Sequence, residues 1–202
     1  MKTLKESSHY ILILFAVMLI GACASEKEDV QSDAAVGMKM TSLDRGRYLV
    51  ETVGGCVVCH TAIDENGQPG APYAGGLEIA EPAGMWRSLN ITQDADTGLG
   101  EWTDDQIIRA IREGIRPDGS GLIAIMPYMV YNTISDEDAQ SMVEYLRTIE
   151  PVRNEVERVL DFPHVPAPKP SGDGPEEGNE LARGHYLASI MHCVECHTPM
   201  GE

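Results

Sequence analysis

The sequence predicts an all-α fold, and three observations carry that expectation. Three stretches between Leu43 and Ile149 show helical periodicity, helical caps or both. The interval from Ile63 to Glu101 is rich in Gly and Pro and has no sustained period, so it reads as loop rather than strand. Apolar residues make up 43% of the chain, yet only two Trp and two Phe are present, so something other than an aromatic cluster must fill the centre.

The first helix is expected over Leu43 to Val53, with Ser42 as its N-cap and Gly54-Gly55 ending it. Leu43, Tyr48 and Leu49 are its core candidates, and Gly46 would let another helix approach closely. Thr103 to Glu113 is a second helix. Thr103 and Gln106 have the spacing of a capping box, Ile107, Ile108, Ala110 and Ile111 form a stripe, and Gly114 stands at the stop. Arg116-Pro117-Asp118-Gly119 is a turn. Gly121 to Tyr131 reads as an apolar loop containing Met126-Pro127. The last helix of this region runs from Asp136 to Ile149, capped by Ser135, with Ala139, Met142, Val143, Leu146 and Ile149 on one face. Pro151 follows it.

The ends read differently. Residues 1–22 have the character of an export signal: Lys2 and Lys5, then an unbroken apolar run from Tyr10 to Ile20. That run is short of the ~20 residues a membrane span needs. Leu19-Ile20-Gly21-Ala22-Cys23 resembles a lipoprotein cleavage site, which makes Cys23 the expected lipidation site and places the chain outside the cytoplasm on a membrane anchor. Residues 23–41 are polar and acidic, a flexible tether. Lys and Arg total 15 against 32 Asp and Glu, a formal charge of -17 in 202 residues. That balance excludes nucleic-acid binding through a basic face and favours a basic protein partner or simple solubility.

Four further cysteines fall in two pairs, Cys56-Val57-Val58-Cys59-His60 and Cys193-Val194-Glu195-Cys196-His197. Both are C-x-x-C-H, the attachment signature of c-type haem. Thiols three positions apart can reach the two vinyl groups of one haem, and the following His is placed to bind the iron as an axial ligand. A four-cysteine zinc site would not require the trailing His in both copies. A thioredoxin-like pair expects a βαβ context that neither copy has. Structural disulfides suit an exported protein but leave both histidines unexplained.

The repeat extends upstream. Leu43-Asp44-Arg45-Gly46-Arg47-Tyr48-Leu49 and Leu181-Ala182-Arg183-Gly184-His185-Tyr186-Leu187 share L-x-R-G-x-Y-L, and each leads into C-x-x-C-H-T. The expected organisation is therefore a first module over 42–152, a Pro- and Gly-rich linker over 153–177, and a second module beginning at 178. Residues 178–202 are too few to bury a haem alone, so that module reads as the start of one cut short, the alternative being a second haem that sits exposed or shared.

The order helix, CVVCH, long loop, helix, Met-Pro loop, helix resembles a class I cytochrome c. More narrowly, Ala74-Gly75-Gly76, Asn90-Ile91-Thr92, Thr97-Gly98-Leu99-Gly100, Arg112-Glu113-Gly114, Met126-Pro127-Tyr128 and Glu144-Tyr145-Leu146-Arg147 are similar to the multihaem cytochrome subunits of membrane-bound bacterial alcohol, aldehyde and gluconate dehydrogenases. The resemblance implies haem c bound through Cys56 and Cys59, with a second site at Cys193 and Cys196. It implies iron ligation by His60 and Met126, and by His197 in the second copy. It implies an electron carrier rather than an enzyme, with redox partners such as a dehydrogenase subunit, a cytochrome or a terminal oxidase. Trp86, Asn90 and Trp102 are candidates for a haem edge, with ordinary core packing the competing reading for the tryptophans. The alternative function is a dihaem redox enzyme such as a peroxidase.

Overall fold

A computed structural model describes residues 40–81, 84–158, 164–193 and 197. The expected export signal, Cys23 and almost all of the tether lie outside the described residues, as does Cys196.

The first helix, α1, spans Ser42–Arg47. Its cap is Thr41 rather than Ser42: the Thr41 hydroxyl accepts from the Asp44 amide at 3.1 Å. Ser42 instead sits with its hydroxyl 3.0 Å from that of Ser141. From Tyr48 to Val53 the helix widens into π geometry, closed by the Gly54 amide bonding back to the Leu49 carbonyl at 2.7 Å. The wider turn places Leu49, Val50 and Val53 in the core together. A short helix, α2, follows at Cys56–Cys59.

The long interval is not all loop. Strands β1 (Glu78–Glu81) and β2 (Gly84–Arg87) pair antiparallel in the register Ile79 to Trp86, with an exposed Arg87–Glu78 ion pair at their outer end. The all-α expectation is corrected to this extent. Each strand has only four residues, too few for alternation to stand out against the surrounding Gly and Pro.

Helix α3 covers Asp104–Glu113, and both halves of the Thr103–Gln106 capping box form, at 3.2 and 2.8 Å. Within the expected Met-Pro loop a single turn, α4, forms at Tyr128–Tyr131. Helix α5 covers Asp136–Leu146, capped by Ser135 through the Asp138 amide at 3.1 Å. It stops three residues before the expected Ile149. The chain there tightens, the Thr148 and Ile149 amides reaching carbonyls three residues back, before Pro151. Helix α6 covers Glu180–Ile190, the second copy of the repeat.

α1 packs on α5, and Gly46 permits the crossing: a β-carbon there would stand 1.8 Å from the Ser141 carbonyl oxygen. Around that crossing lies one core formed by Leu49, Val50, Val53, Ile107, Ile111, Tyr131, Ile134, Met142, Val143 and Leu146. Tyr186 and Ile190 of α6 belong to the same core. Arg45 of α1 clamps Asp138 of α5 through two bonds of 2.8 and 2.7 Å, and the Tyr186 hydroxyl donates to the same carboxylate at 2.7 Å. The helix preceding each CxxCH thus fastens to one carboxylate.

The proline-rich stretch between the repeats lies along α4 and the start of α5. Tyr128 donates its hydroxyl proton to the Val165 carbonyl at 2.9 Å, Asn132 donates to Pro168 at 3.0 Å, and the Asp136 amide reaches Gly172 at 3.0 Å. Among the described residues no helix is long and apolar enough to cross a membrane.

Candidate haem site

Gly55, left-handed at φ 56, turns the chain into α2, which carries Cys56 and Cys59 one helical turn apart. Both are free thiols, Cys56 half-buried and Cys59 exposed. Burial pushes the Cys56 thiol up to about 12, so it is held as the neutral thiol. His60 caps α2, its amide bonded to the Cys56 carbonyl at 2.9 Å and its own carbonyl accepting from the Gly75 amide at 2.8 Å. The ring is fixed as well. Nδ1 lies 2.7 Å from the Leu89 carbonyl oxygen. A carbonyl can only accept, so Nδ1 carries the proton and Nε2 presents its lone pair. Burial lowers the His60 pKa, with the Leu89 bond acting in the opposite sense, so the ring stays neutral.

Leu89 is held in place by the glycine-rich turn and the hairpin. The Gly76 amide bonds to Ser88 at 2.7 Å, the Ser88 amide to Leu77 at 3.1 Å, and the Ile91 amide to Tyr73 at 2.9 Å. Asn90, a candidate haem-edge residue, also has a scaffolding task. Its Oδ1 accepts from the Thr92 amide and hydroxyl at 2.9 and 2.8 Å, and its Nδ2 donates to the Val152 carbonyl at 2.7 Å. It pins the end of the module to the segment that positions His60. Trp86 is 4% exposed on β2, and Trp102 is half-buried against the core.

Met126 is half-buried and packs against the same core as Cys56 and Val57. Its amide closes a turn onto the Ile123 carbonyl at 3.1 Å. Met129 is 41% exposed on α4, whereas Met142 is 1% exposed inside the helix packing. In the second copy, Cys193 and His197 are both exposed. Two residues went unnoticed in the sequence: Leu89, whose contribution is a backbone carbonyl that any residue offers, and Tyr131, whose hydroxyl donates to Gly54 beside the first motif at 3.2 Å.

Residues 41–146 match the family model described as cytochrome C oxidase, cbb3-type, subunit III. The chain belongs to this cytochrome c family. Membership implies covalently bound haem c, and the residues fit it: two free thiols at the right spacing beside a neutral imidazole with one nitrogen bare. The chain is also similar to curated relatives. It is 37% identical over 175 residues to the cytochrome c subunit of a quinone-dependent alcohol dehydrogenase of Gluconobacter oxydans, covering 79% of this chain and 35% of that one. It is 34% identical over 206 residues to a gluconate 2-dehydrogenase cytochrome c subunit of Pantoea cypripedii, covering 93% and 43%. A dihaem c-type cytochrome of Cereibacter sphaeroides is 33% identical over 159 residues, covering 72% and 54%. The cytochrome c chain thus spans about a third to a half of the length of these relatives.

Proposed function

We propose that this chain is an electron-transfer cytochrome c serving a dehydrogenase, passing single electrons from that donor toward a respiratory acceptor. The carrying observation is the His60 imidazole, its proton committed to Leu89 at 2.7 Å and its other nitrogen free beside two thiols. The similarity to dehydrogenase cytochrome subunits supports the choice of donor. Haem supplies the one-electron couple of its iron. The chain's residues do the rest. Cys56 and Cys59 would hold the group by thioether bonds, and His60 would bind its iron through the nitrogen left bare by the Leu89 bond. Met126 would supply the second ligand, a thioether that raises the potential. The apolar core keeps water away and limits reorganisation.

The first module is read as 42–152 and the second as beginning at 178, where Cys193, Cys196 and His197 bind a further haem c. The partial likeness to a dihaem cytochrome supports that second site. Residues 1–22 direct export, and lipid on Cys23 holds the protein at a membrane on the periplasmic side. Cys23→Ser should therefore release mature protein from membranes or block its processing.

The test is haem content and redox behaviour of the full mature chain. Haem resisting acid–acetone extraction, with a reversible one-electron wave per haem, is expected. Extractable haem, or a Cys56→Ala/Cys59→Ala variant that keeps its covalent haem at the first site, would overturn the reading.

A further inference from the structure

The proline-rich stretch has the composition of a spacer, yet residues 164–172 are fastened to every fourth residue of the segment beneath them. The Tyr128 hydroxyl donates to the Val165 carbonyl, the Asn132 side-chain amide to Pro168 and the Asp136 backbone amide to Gly172, at 2.9, 3.0 and 3.0 Å. The donors belong to α4, the residue after it and the first position of α5, and each acceptor is a backbone carbonyl of the strap. Pro166, Pro168 and Pro170 have no N–H. A segment of this composition can lie on a row of donors while burying few donors of its own.

The first of these ties falls beside the loop that carries Met126. That loop closes on Gly114, the left-handed residue that ends α3. The Leu122 amide bonds to the Gly114 carbonyl at 2.6 Å, and a β-carbon at Gly114 would stand 2.6 Å from the Tyr128 ring. Leu122 and Tyr128 therefore meet the same residue, and residues 123–127 span the interval between them. Tyr128 is fully buried, and its amide bonds to the Met126 carbonyl at 2.7 Å. The strap touches both ends of this base. The His164 and Tyr128 ring centroids are 5.4 Å apart, and Nδ1 of His164 lies 3.4 Å from the Leu122 carbonyl oxygen. A β-carbon at Gly121 would stand 2.1 Å from Cβ of His164, so glycine is what admits the strap this close.

Packing against Gly114 needs only the Tyr128 ring. The hydroxyl adds a directional tie to the strap. An irregular loop has many conformations to lose on ordering, and each tie at its base removes some of them. A thioether offered to an iron needs such a loop, since a swinging one leaves the iron open to other ligands.

We propose that residues 164–172 clamp the Met126 loop, with Tyr128 and His164 as positioning residues that hold the thioether in place. The proposal rests on the reading of Met126 as the second iron ligand.

The test uses the full mature, haem-loaded chain in its ferric form, with imidazole as the competing ligand. Imidazole binds where Met126 has left the iron, so its apparent affinity rises with the open fraction of the loop. Tyr128→Phe keeps the ring and removes the tie. His164→Ala removes the ring beside Tyr128, and Val165→Ala keeps the accepting carbonyl and serves as the control. Tyr128→Phe should raise the imidazole affinity about two- to tenfold, the range that one hydrogen bond commands. His164→Ala should act in the same direction, and Val165→Ala should leave the affinity unchanged. A purely structural role would lower the unfolding midpoint and leave the imidazole affinity where it was. Unaltered affinity in both Tyr128→Phe and His164→Ala would overturn the proposal, and if Tyr128→Phe does not fold, His164→Ala decides it alone. Met126→Ala separates the two readings. A sulfur-to-iron charge-transfer band that survives Met126→Ala overturns the ligand assignment, and this proposal with it. A band lost in Met126→Ala, with unaltered affinity in the clamp variants, overturns the clamp alone.

Discussion

The Nδ1–H of His60 donates to the backbone carbonyl of Leu89 at 2.7 Å. A bond of this kind fixes the tautomer and ring orientation and raises the basicity of the ligating nitrogen. A more basic imidazole favours ferric iron and so lowers the potential. The carbonyl is held by close backbone packing: a β-carbon at Gly75 would stand 2.5 Å from the Leu89 carbonyl carbon, and Gly75 itself is left-handed at φ 74. Gly75→Ala should therefore push Leu89 away and weaken the bond. The haem potential should rise, by up to about 59 mV if the relative affinity of the two oxidation states changes tenfold. Potentiometric titration checks this; an unchanged or lowered potential would show that the carbonyl does not tune the ring.

Arg45, Asp138 and Tyr186 form the polar joint between three helices, with Arg45 and Asp138 side chains 19% and 10% exposed. Breaking a fully buried ion pair from one side costs about 3–5 kcal/mol because a charge is left uncompensated. This pair keeps some contact with water, and Asn retains one acceptor. Asp138→Asn should then destabilise the module by on the order of 2 kcal/mol, read from denaturant midpoints at constant slope. A loss below the error of the measurement would mean that Arg45 finds water as readily as it found Asp138.

How much of this was legible in the sequence depends on the length scale of each feature. The capping box at Thr103 and Gln106, the stripe through α5 and the Ser135 cap are local, and they formed as read. The CxxCH pairs and the Gly46 crossing were equally visible, because only one residue type does each job. The hairpin escaped notice because two four-residue strands carry too short an alternation. The π turn after Arg47 escaped because its signature is a shift of one residue in hydrogen bonding, not a change in composition. The Leu89 carbonyl and the scaffolding task of Asn90 were beyond reach for another reason. Their value comes from contacts with His60 and Val152, and no periodicity reports on those.

Tyr186 gives the module a defined response to alkali. Burial pushes its hydroxyl up to about 12; the Asp138 carboxylate adds to this, and the Ser135 amide works against it. In the unfolded chain the same group ionises near 10. The folded pKa is the higher one, so its contribution is fully present below pH 10 and is lost as pH rises toward 12. Stability should fall across that window in the unsubstituted protein. Tyr186→Phe should be less stable at neutral pH, since Ser135 and Asp138 lose a partner, and should show a shallower decline between pH 10 and 12. Equal slopes in the two proteins would assign the alkaline loss to other groups.

Met126 is the remaining proposal, and its surroundings differ from those of Met129 and Met142. Met142 is 1% exposed inside the α1–α5 packing, which already accounts for it. Met129 is 41% exposed on α4. Met126 alone of the three is both half-buried against the core shared with Cys56 and located in a loop, its amide closing a turn and Pro127 behind it. A loop residue can turn its thioether to an iron without giving up helix packing, and Met is flexible enough to do so. Met126→Ala should leave haem covalently bound through Cys56 and Cys59, abolish the sulfur-to-iron charge-transfer band of the ferric form, and lower the potential, since Met opposite His raises it. The drop should exceed ~59 mV, the equivalent of a tenfold preference between oxidation states for one electron. Met129→Ala should leave band and potential nearly intact. The reverse pattern, with the band lost in Met129→Ala and kept in Met126→Ala, would place the ligand on the first turn of α4 and require that turn to rotate inward when haem binds.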